Sequence, residues 1–161
     1  MPDQEQVTIL GYEERFDADF ARLNREWLEG SGLLEEADVK YLDQPRETII
    51  NLGGEILFAV AAEQVVGTCA ILRVDFTVVE LAKLAVAPAA QGRGIGRRLT
   101  LAAIDRARSL GAERVVLVSN SKLAAAIRLY ESLGFRHAPL PANPGYATAD
   151  VYMELSLTSM L

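Results

Sequence analysis

A mixed α/β or α+β sheet is the fold class this sequence predicts, and three observations predict it. β-rich runs come first and then alternate with helical periodicity, a glycine-rich turn lies between a buried strand and a helix start, and glycines stand where helices should stop. At 161 residues, half of them hydrophobic and 24% charged, the chain is read as one domain over 1–161, long enough to bury a sizeable core.

Taken in order, Phe16, Phe20, Leu23 and Trp27 recur at spacings of 4, 3 and 4, which predicts an amphipathic helix of roughly 15 residues ending near Gly30 and Gly32. An acidic stretch broken by Pro45 follows. Glu55 to Ala62 and Val65 to Arg73 read as a two-strand hairpin turning at Glu63-Gln64, and Val78 to Val86 reads as a third strand ended by Pro88. After the glycine-rich turn, Arg97 to Leu110 puts Leu99, Ala103, Ala107 and Leu110 on one helical face, with Gly111 at the C-cap. Arg114 to Val118 is a short apolar strand and Lys122 to Leu133 a helix stopped by Gly134. Two more strands are expected around the Pro-rich loop 139–145, the last over Thr148 to Leu157. The sequence shows no internal repeat and no interdomain linker.

Composition excludes several functions. A single cysteine, Cys69, and a single histidine, His137, supply neither an intramolecular disulfide nor a Cys/His zinc site, so no metal is expected. The longest apolar run, Ile56 to Ala62, has seven residues against the roughly 20 that span a bilayer, and the MPDQEQ start is too acidic for a leader, so neither a membrane nor a secreted location is expected and the cytoplasm is the default. A net charge of −6 argues against nucleic acid as a partner. The charge is unevenly spread: residues 91–114 carry six arginines against two acids, whereas residues 1–47 carry thirteen acids against five basic side chains. The acidic third is either a solvated face or a field that draws cations to a cleft.

The stretch from Leu84 to Leu99 carries the chemistry. Gly92, Gly94 and Gly96 let the backbone approach a ligand, the helix N-terminus offers free N–H groups, and Arg93, Arg97 and Arg98 add positive charge, a combination suited to phosphate. It is not a P-loop, because no glycine is followed by Lys and then Ser or Thr. A dinucleotide fingerprint also fails, since Arg97 stands where the motif needs Gly or Ala.

Gln91-Gly-Arg-Gly-Ile-Gly96, following Leu84-Ala-Val86, resembles the acyl-CoA pyrophosphate loop of the GNAT superfamily of N-acyltransferases, whose pattern is Q/R-x-x-G-x-G/A. Ser119 to Phe135 is similar to the family's next motif, a helix that carries a Tyr and ends in Gly-Phe. The two motifs cover about residues 78 to 136, and the preceding hairpin and helix fall where the family has them. The resemblance implies a mostly antiparallel central sheet of six to seven strands flanked by about four helices. That sheet would splay after the Val78 to Val86 strand to leave an acyl-CoA slot. It also implies acetyl-CoA as co-substrate, with main-chain groups of Leu84, Ala85 and Val86 pairing the pantetheine and those of Gln91, Gly92, Arg93, Gly94, Ile95, Gly96 and Arg97 holding the pyrophosphate.

In the family the tyrosine corresponding to Tyr130 protonates the departing thiolate. Many members place an Asn seven residues earlier. Here Leu123 occupies that position and Asn120 is the nearest asparagine, so both are candidate cofactor contacts. Glu80 is the candidate base, on the face that strand alternation assigns to Glu80, Ala82, Leu84 and Val86; Lys83 would point the other way, into a possible buried ion pair. Glu26, Trp27 and Tyr146 are candidate acceptor contacts by position, although Trp27 and Tyr146 equally suit core and loop packing. The Val65 to Arg73 arm is expected as a further wall. Cys69 has no basic neighbour and reads as a buried apolar residue.

The expected activity is transfer of an acetyl group to the primary amine of a small molecule by direct attack in a ternary complex. A protein or peptide acetyltransferase and a non-catalytic acyl-CoA-binding regulatory module are the alternatives. The apolar residues Val151, Met153, Leu155 and Leu157 make a homodimer through the C-terminal strands a further expectation.

Overall fold

The structure, a computed structural model, describes residues 6–158, so all of the acidic MPDQEQ start except Gln6 lies outside the described residues. In chain order the elements are β1 (Val7–Leu10), α1 (Asp17–Ser31), α2 (Glu36–Asp43), β2 (Glu55–Ala61), β3 (Gln64–Arg73), β4 (Val78–Val86), α3 (Ile95–Ser109), β5 (Arg114–Ser119), α4 (Ala124–Ser132), β6 (Arg136–Ala138) and β7 (Val151–Ser156). The strands form one seven-stranded sheet in the order β1-β2-β3-β4-β5-β7-β6. Every neighbouring pair is antiparallel except β4 and β5, which run parallel.

Helices cover both faces, which explains why β2 reads as an unbroken apolar run. Ile56 and Phe58 join the core under α1, and Leu57 and Ala59 join the core under α3. The aromatic stripe of α1 is the anchor of the first core. Phe20 is 0% exposed and Phe16, just ahead of the helix, packs on Phe58 with ring centroids 4.8 Å apart. Each such side chain contributes about 1.5–3 kcal/mol of burial. Under α3 the expected face is present, with Leu99, Ala103 and Ala107 buried against Leu117 and Met153.

Three features differ from expectation. The β2–β3 hairpin turns at Ala62-Glu63, one residue early, with both residues left-handed (φ 50° and 66°), the conformation that a two-residue turn requires. β1 and α2 were not expected: β1 has only four residues, and α2 buries only Leu42 and Asp38, too little apolar periodicity to register. Met153 is fully buried, and Val151, Leu155 and Leu157 are part-buried and pack on the same core.

The feature that shapes the site is a bulge in β4. Thr68 pairs with Ala85 but Ala70 pairs with Ala82, so Lys83 and Leu84 together oppose Cys69, and Lys83 is left-handed at φ 58°. The bulge overturns the expected alternation. Val79 and Leu81 face α3 before it, whereas Leu84 and Val86 face α3 after it. Glu80 and Leu84 are therefore on opposite faces, and Lys83 joins Glu80 instead of opposing it. β4 and β5 also pair only from Val78 with Arg114 to Glu80 with Val116, although β4 runs on to Val86 and β5 to Ser119. The sheet splays within β4, past Glu80, earlier than the strand end expected from the sequence.

Candidate active site

The splay opens a cleft of about 460 Å³ with Glu80 at its apex, walled by β4, α3, α4, α1 and the loop through Tyr146. One end is built for an anion. α3 begins at Ile95 with Gly94 as N-cap, and Gly92 and Gly94 are left-handed at φ 81° and 76°, a conformation costly for any residue with a β-carbon. A β-carbon at either glycine would meet nothing within 4 Å, so conformation, not crowding, demands glycine there and the loop stays open. Among the described residues, the N–H groups from Gly92 to Arg97 have no hydrogen-bond acceptor, the first helical bond being Arg98 N–H to the Gly94 carbonyl at 3.0 Å. Six adjacent donors at the positive end of a 15-residue helix are an arrangement that could hold an anion such as a diphosphate. Arg97 lines the cleft and donates to Ser132 Oγ at 3.1 Å; Arg93 is exposed and does not line it. Gln91 donates to the Val86 carbonyl at 3.1 Å and braces the loop against the end of β4.

Tyr130 lies midway, on α4. It is 8% exposed, packs edge-on against Phe135 at 5.7 Å, and its hydroxyl has no hydrogen-bond partner among the described residues. Burial pushes its phenol above the ordinary range, so it holds its proton. Cys69 is completely buried beneath, its thiol pushed up to about 12 by burial, and it is no nucleophile.

The other end is polar. Lys83 Nζ donates to Asp38 Oδ1 and, at 2.9 Å, to Tyr146 Oη, and it sits 4.7 Å from the Tyr146 ring centroid and 5.3 Å from that of Tyr41. The Lys83 and Asp38 side chains are 5% and 4% exposed, so the buried ion pair expected of Lys83 is present, with Asp38 as its partner. Asp38 Oδ2 accepts the Glu35 N–H at 2.8 Å. The Glu35 carboxylate accepts the N–H groups of Ala147 (2.8 Å) and Thr148 (2.9 Å) and the Thr148 hydroxyl, while Asn120 Nδ2 donates to the Thr148 carbonyl at 2.5 Å. The loop that carries Tyr146 is thereby tied to α2 on one side and β5 on the other. Burial works to raise the Glu35 carboxyl, but these hydrogen bonds and Lys83 outweigh it and hold it below the ordinary range.

Glu80 forms no ion pair among the described residues. Burial raises its carboxyl above the ordinary glutamate range, and Lys83 offsets part of that rise. Burial and then neighbouring carboxylates, Asp38 and Glu80 for Tyr146 and Glu80 for Tyr41, raise both phenols.

The cleft brings together Glu80, Leu84, Val86, Gln91, Gly92, Gly94, Ile95, Gly96, Arg97, Asn120, Leu123, Tyr130, Trp27 and Tyr146 of the residues singled out from the sequence. Ala85 is in the wall strand with its side chain buried beneath α1. Glu26 is exposed and lines only a smaller recess beside Pro88 and Gln91. No β3 residue lines the cleft, because β4 stands between it and the opening, which corrects the expected Val65 to Arg73 wall. Asn120 reaches the cleft, but its amide is already engaged with the Thr148 carbonyl and the Lys122 N–H (2.9 Å). Sequence reasoning missed Asp38, Tyr41, Glu35 and Thr148. Their partners are 42 or more residues away, and the one available signal was an unexplained lysine inside an apolar strand.

A sheet parted along one strand edge, with a helix-terminal anion nest at the end of the gap, defines the acyl-CoA N-acyltransferase fold. The chain belongs to the Acetyltransferase (GNAT) family, whose model matches residues 18–135. The fold matches a GNAT-family acetyltransferase of Staphylococcus aureus Mu50 with a TM-score of 0.87 at 19% identity, over 95% of this chain and 100% of that one. It also matches yncA of Salmonella typhimurium, solved with its cofactor acetyl-CoA, with a TM-score of 0.76 at 24% identity, over 96% of this chain and 95% of that one. A mycothiol acetyltransferase of Renibacterium salmoninarum is 45% identical over 56 residues, 35% of this chain and 17% of that protein. The N-acetyltransferase YjgM of Escherichia coli K12 is 43% identical over 58 residues, 36% of this chain and 35% of that protein. Matches to these relatives thus span about a sixth to a third of their length. Among the described residues no helix is long and apolar enough to cross a membrane.

Proposed function

We propose that this chain, as one domain over 1–161, transfers an acetyl group from acetyl-CoA to the primary amine of a small acceptor by direct attack in a ternary complex. The observation that carries the reading is the parting of β4 from β5 beyond Glu80, in line with the six free N–H groups from Gly92 to Arg97. Main-chain groups of Leu84, Ala85 and Val86, with no strand beside them on the β5 side, pair the pantetheine amides as an added strand would, and the nest holds the pyrophosphate. The donor supplies an activated thioester.

Glu80 takes a proton from the acceptor ammonium, directly or through one water, and its raised carboxyl makes it a better base than a solvated glutamate. The neutral amine attacks the thioester carbonyl, the C–N bond forms, and the C–S bond breaks. Tyr130 gives its proton to the departing thiolate and takes up the second proton that the nitrogen sheds as the amide forms, which restores the neutral phenol. A phenol near 10 is a weaker acid than a thiol near 8.5 in water, but the dry wall that raises Tyr130 raises a thiol as well, as Cys69 shows, so the mismatch stays small. Holding both reactants in one cleft supplies most of the rate.

Isothermal titration with acetyl-CoA followed by a thiol-release screen of amines tests the reading. Binding with acceptor-dependent CoA release is expected. Failure to bind acetyl-CoA would refute the assignment of Gln91 to Arg97, and binding without release on any amine or basic peptide would favour the regulatory module.

A further inference from the structure

Resting on the transfer reading above, we infer that the acceptor is a monoamine, one ammonium on an apolar body of aromatic size, and not a polyamine, an aminoglycoside or a basic peptide. The acidic N-terminal third suggests the opposite, a field suited to polycations, but the structure shows where seven of its thirteen carboxylates go, and a further one, Glu26, lines only the recess beside Pro88 and Gln91. Glu13, Asp19, Asp43 and Glu14 pair with Arg15, Arg22, Arg25 and Arg46 on the outer surface. Asp17 accepts the Tyr12 hydroxyl at 2.8 Å, and Glu35 is taken up by the 147–148 backbone. Among the described residues Asp38 is the one acid of that third lining the cleft, and Lys83 neutralises it.

Among the described residues the charged side chains lining the cleft are Asp38, Glu80, Lys83 and Arg97. Arg97 belongs to the anion nest, and Asp38 and Lys83 cancel. Glu80 alone remains without an ion-pair partner, and one carboxylate compensates one buried ammonium. A second ammonium would lose its water against the Lys83 cation and the rings of Trp27 and Tyr146 with no counter-charge, which is strongly unfavourable. The same rings favour an apolar body, and a cavity of about 460 Å³ that also takes the pantetheine arm limits its size.

A matched pair of acceptors tests this: hexylamine and 1,6-diaminohexane share a body and differ by one charge. With acetyl-CoA saturating, kcat/KM from thiol release is expected to be at least tenfold higher for hexylamine, and phenethylamine to exceed ethylamine by a similar factor. Equal or faster turnover of the diamine, of spermidine or of a lysine-rich peptide would overturn the monoamine proposal and leave the transfer reading standing. Release with none of these amines, acetyl-CoA being bound, would overturn both. In Lys83→Met, Asp38 becomes a second uncompensated carboxylate, and the diamine-to-monoamine ratio should rise at least fivefold. An unchanged ratio in the folded variant would refute the charge count, and if the variant does not fold the wild-type pair decides.

Discussion

Lys83→Met isolates the contact that holds the polar end of the cleft together. Lys83 and Asp38 are 5% and 4% exposed, so neither charge is solvated, and removing one partner of such a pair leaves the other buried without compensation, a loss of about 3–5 kcal/mol. Asp38 keeps the Glu35 N–H at 2.8 Å, and the Tyr146 hydroxyl, freed of Lys83, can turn toward it, which favours the lower figure. Methionine has a similar volume and inherits the same left-handed backbone at φ 58°, so packing and strain change little. The expected loss is therefore about 3 kcal/mol, a large share of the 5–15 kcal/mol that holds a domain together and about 6–12 °C in Tm. Urea unfolding followed by circular dichroism at pH 7 measures it. The double variant Asp38→Asn/Lys83→Met removes both charges and keeps an acceptor for the Glu35 N–H. It should recover to within about 1.5 kcal/mol of the parent, a coupling in the range measured for contacting pairs. A loss below about 1 kcal/mol in the single variant, or a double variant worse than the sum of the singles, would show that the pair does not carry this energy.

Three further expectations follow from the same geometry. Tyr130→Phe removes the proposed proton donor without changing the ring's packing on Phe135, and turnover at saturating substrates should fall at least tenfold; a change within about twofold, less than ~0.5 kcal/mol in barrier, rules the acid role out. Because burial raises the Glu80 carboxyl, kcat/KM should rise with pH along a limb lying above the ordinary glutamate range, and Glu80→Gln should abolish that limb; a wild-type limb at the ordinary value would contradict the assignment. The linked stability has a defined sign: a carboxyl raised in the fold favours folding in acid below its unfolded value, and that contribution is lost as pH rises through the folded value, so Glu80→Gln should gain stability relative to the parent as pH rises above the ordinary glutamate range. Gly94→Ala places a β-carbon on a left-handed residue at φ 76° and should cost about 1–2 kcal/mol in unfolding free energy and weaken acetyl-CoA binding, read by calorimetry; unchanged affinity would mean that the nest does not hold the donor.

What the sequence by itself determined is local. The aromatic stripe Phe16, Phe20, Leu23 is enough to specify α1, β-rich apolar runs specify β2 to β4, and the Gly92-x-Gly94-x-Gly96 run specifies an open turn into a helix N-terminus, because each depends on residues within a turn or two of one another. Tyr130 was legible for the same reason, carried on a short helix whose stop at Gly134 is visible in the sequence. Tertiary structure decided the acceptor end. The inserted residue at Lys83 turns the second half of β4 over, an event set by the pairing of Thr68 with Ala85 that no periodicity in β4 announces. Asp38 and Glu35 looked like members of a solvated acidic stretch until α2 brought one to Lys83 and the other to the loop at Thr148, 45 and 113 residues away. Composition counts charges, but whether a carboxylate acts on a ligand depends on which cation and which N–H groups reach it first, and only the folded chain settles that competition.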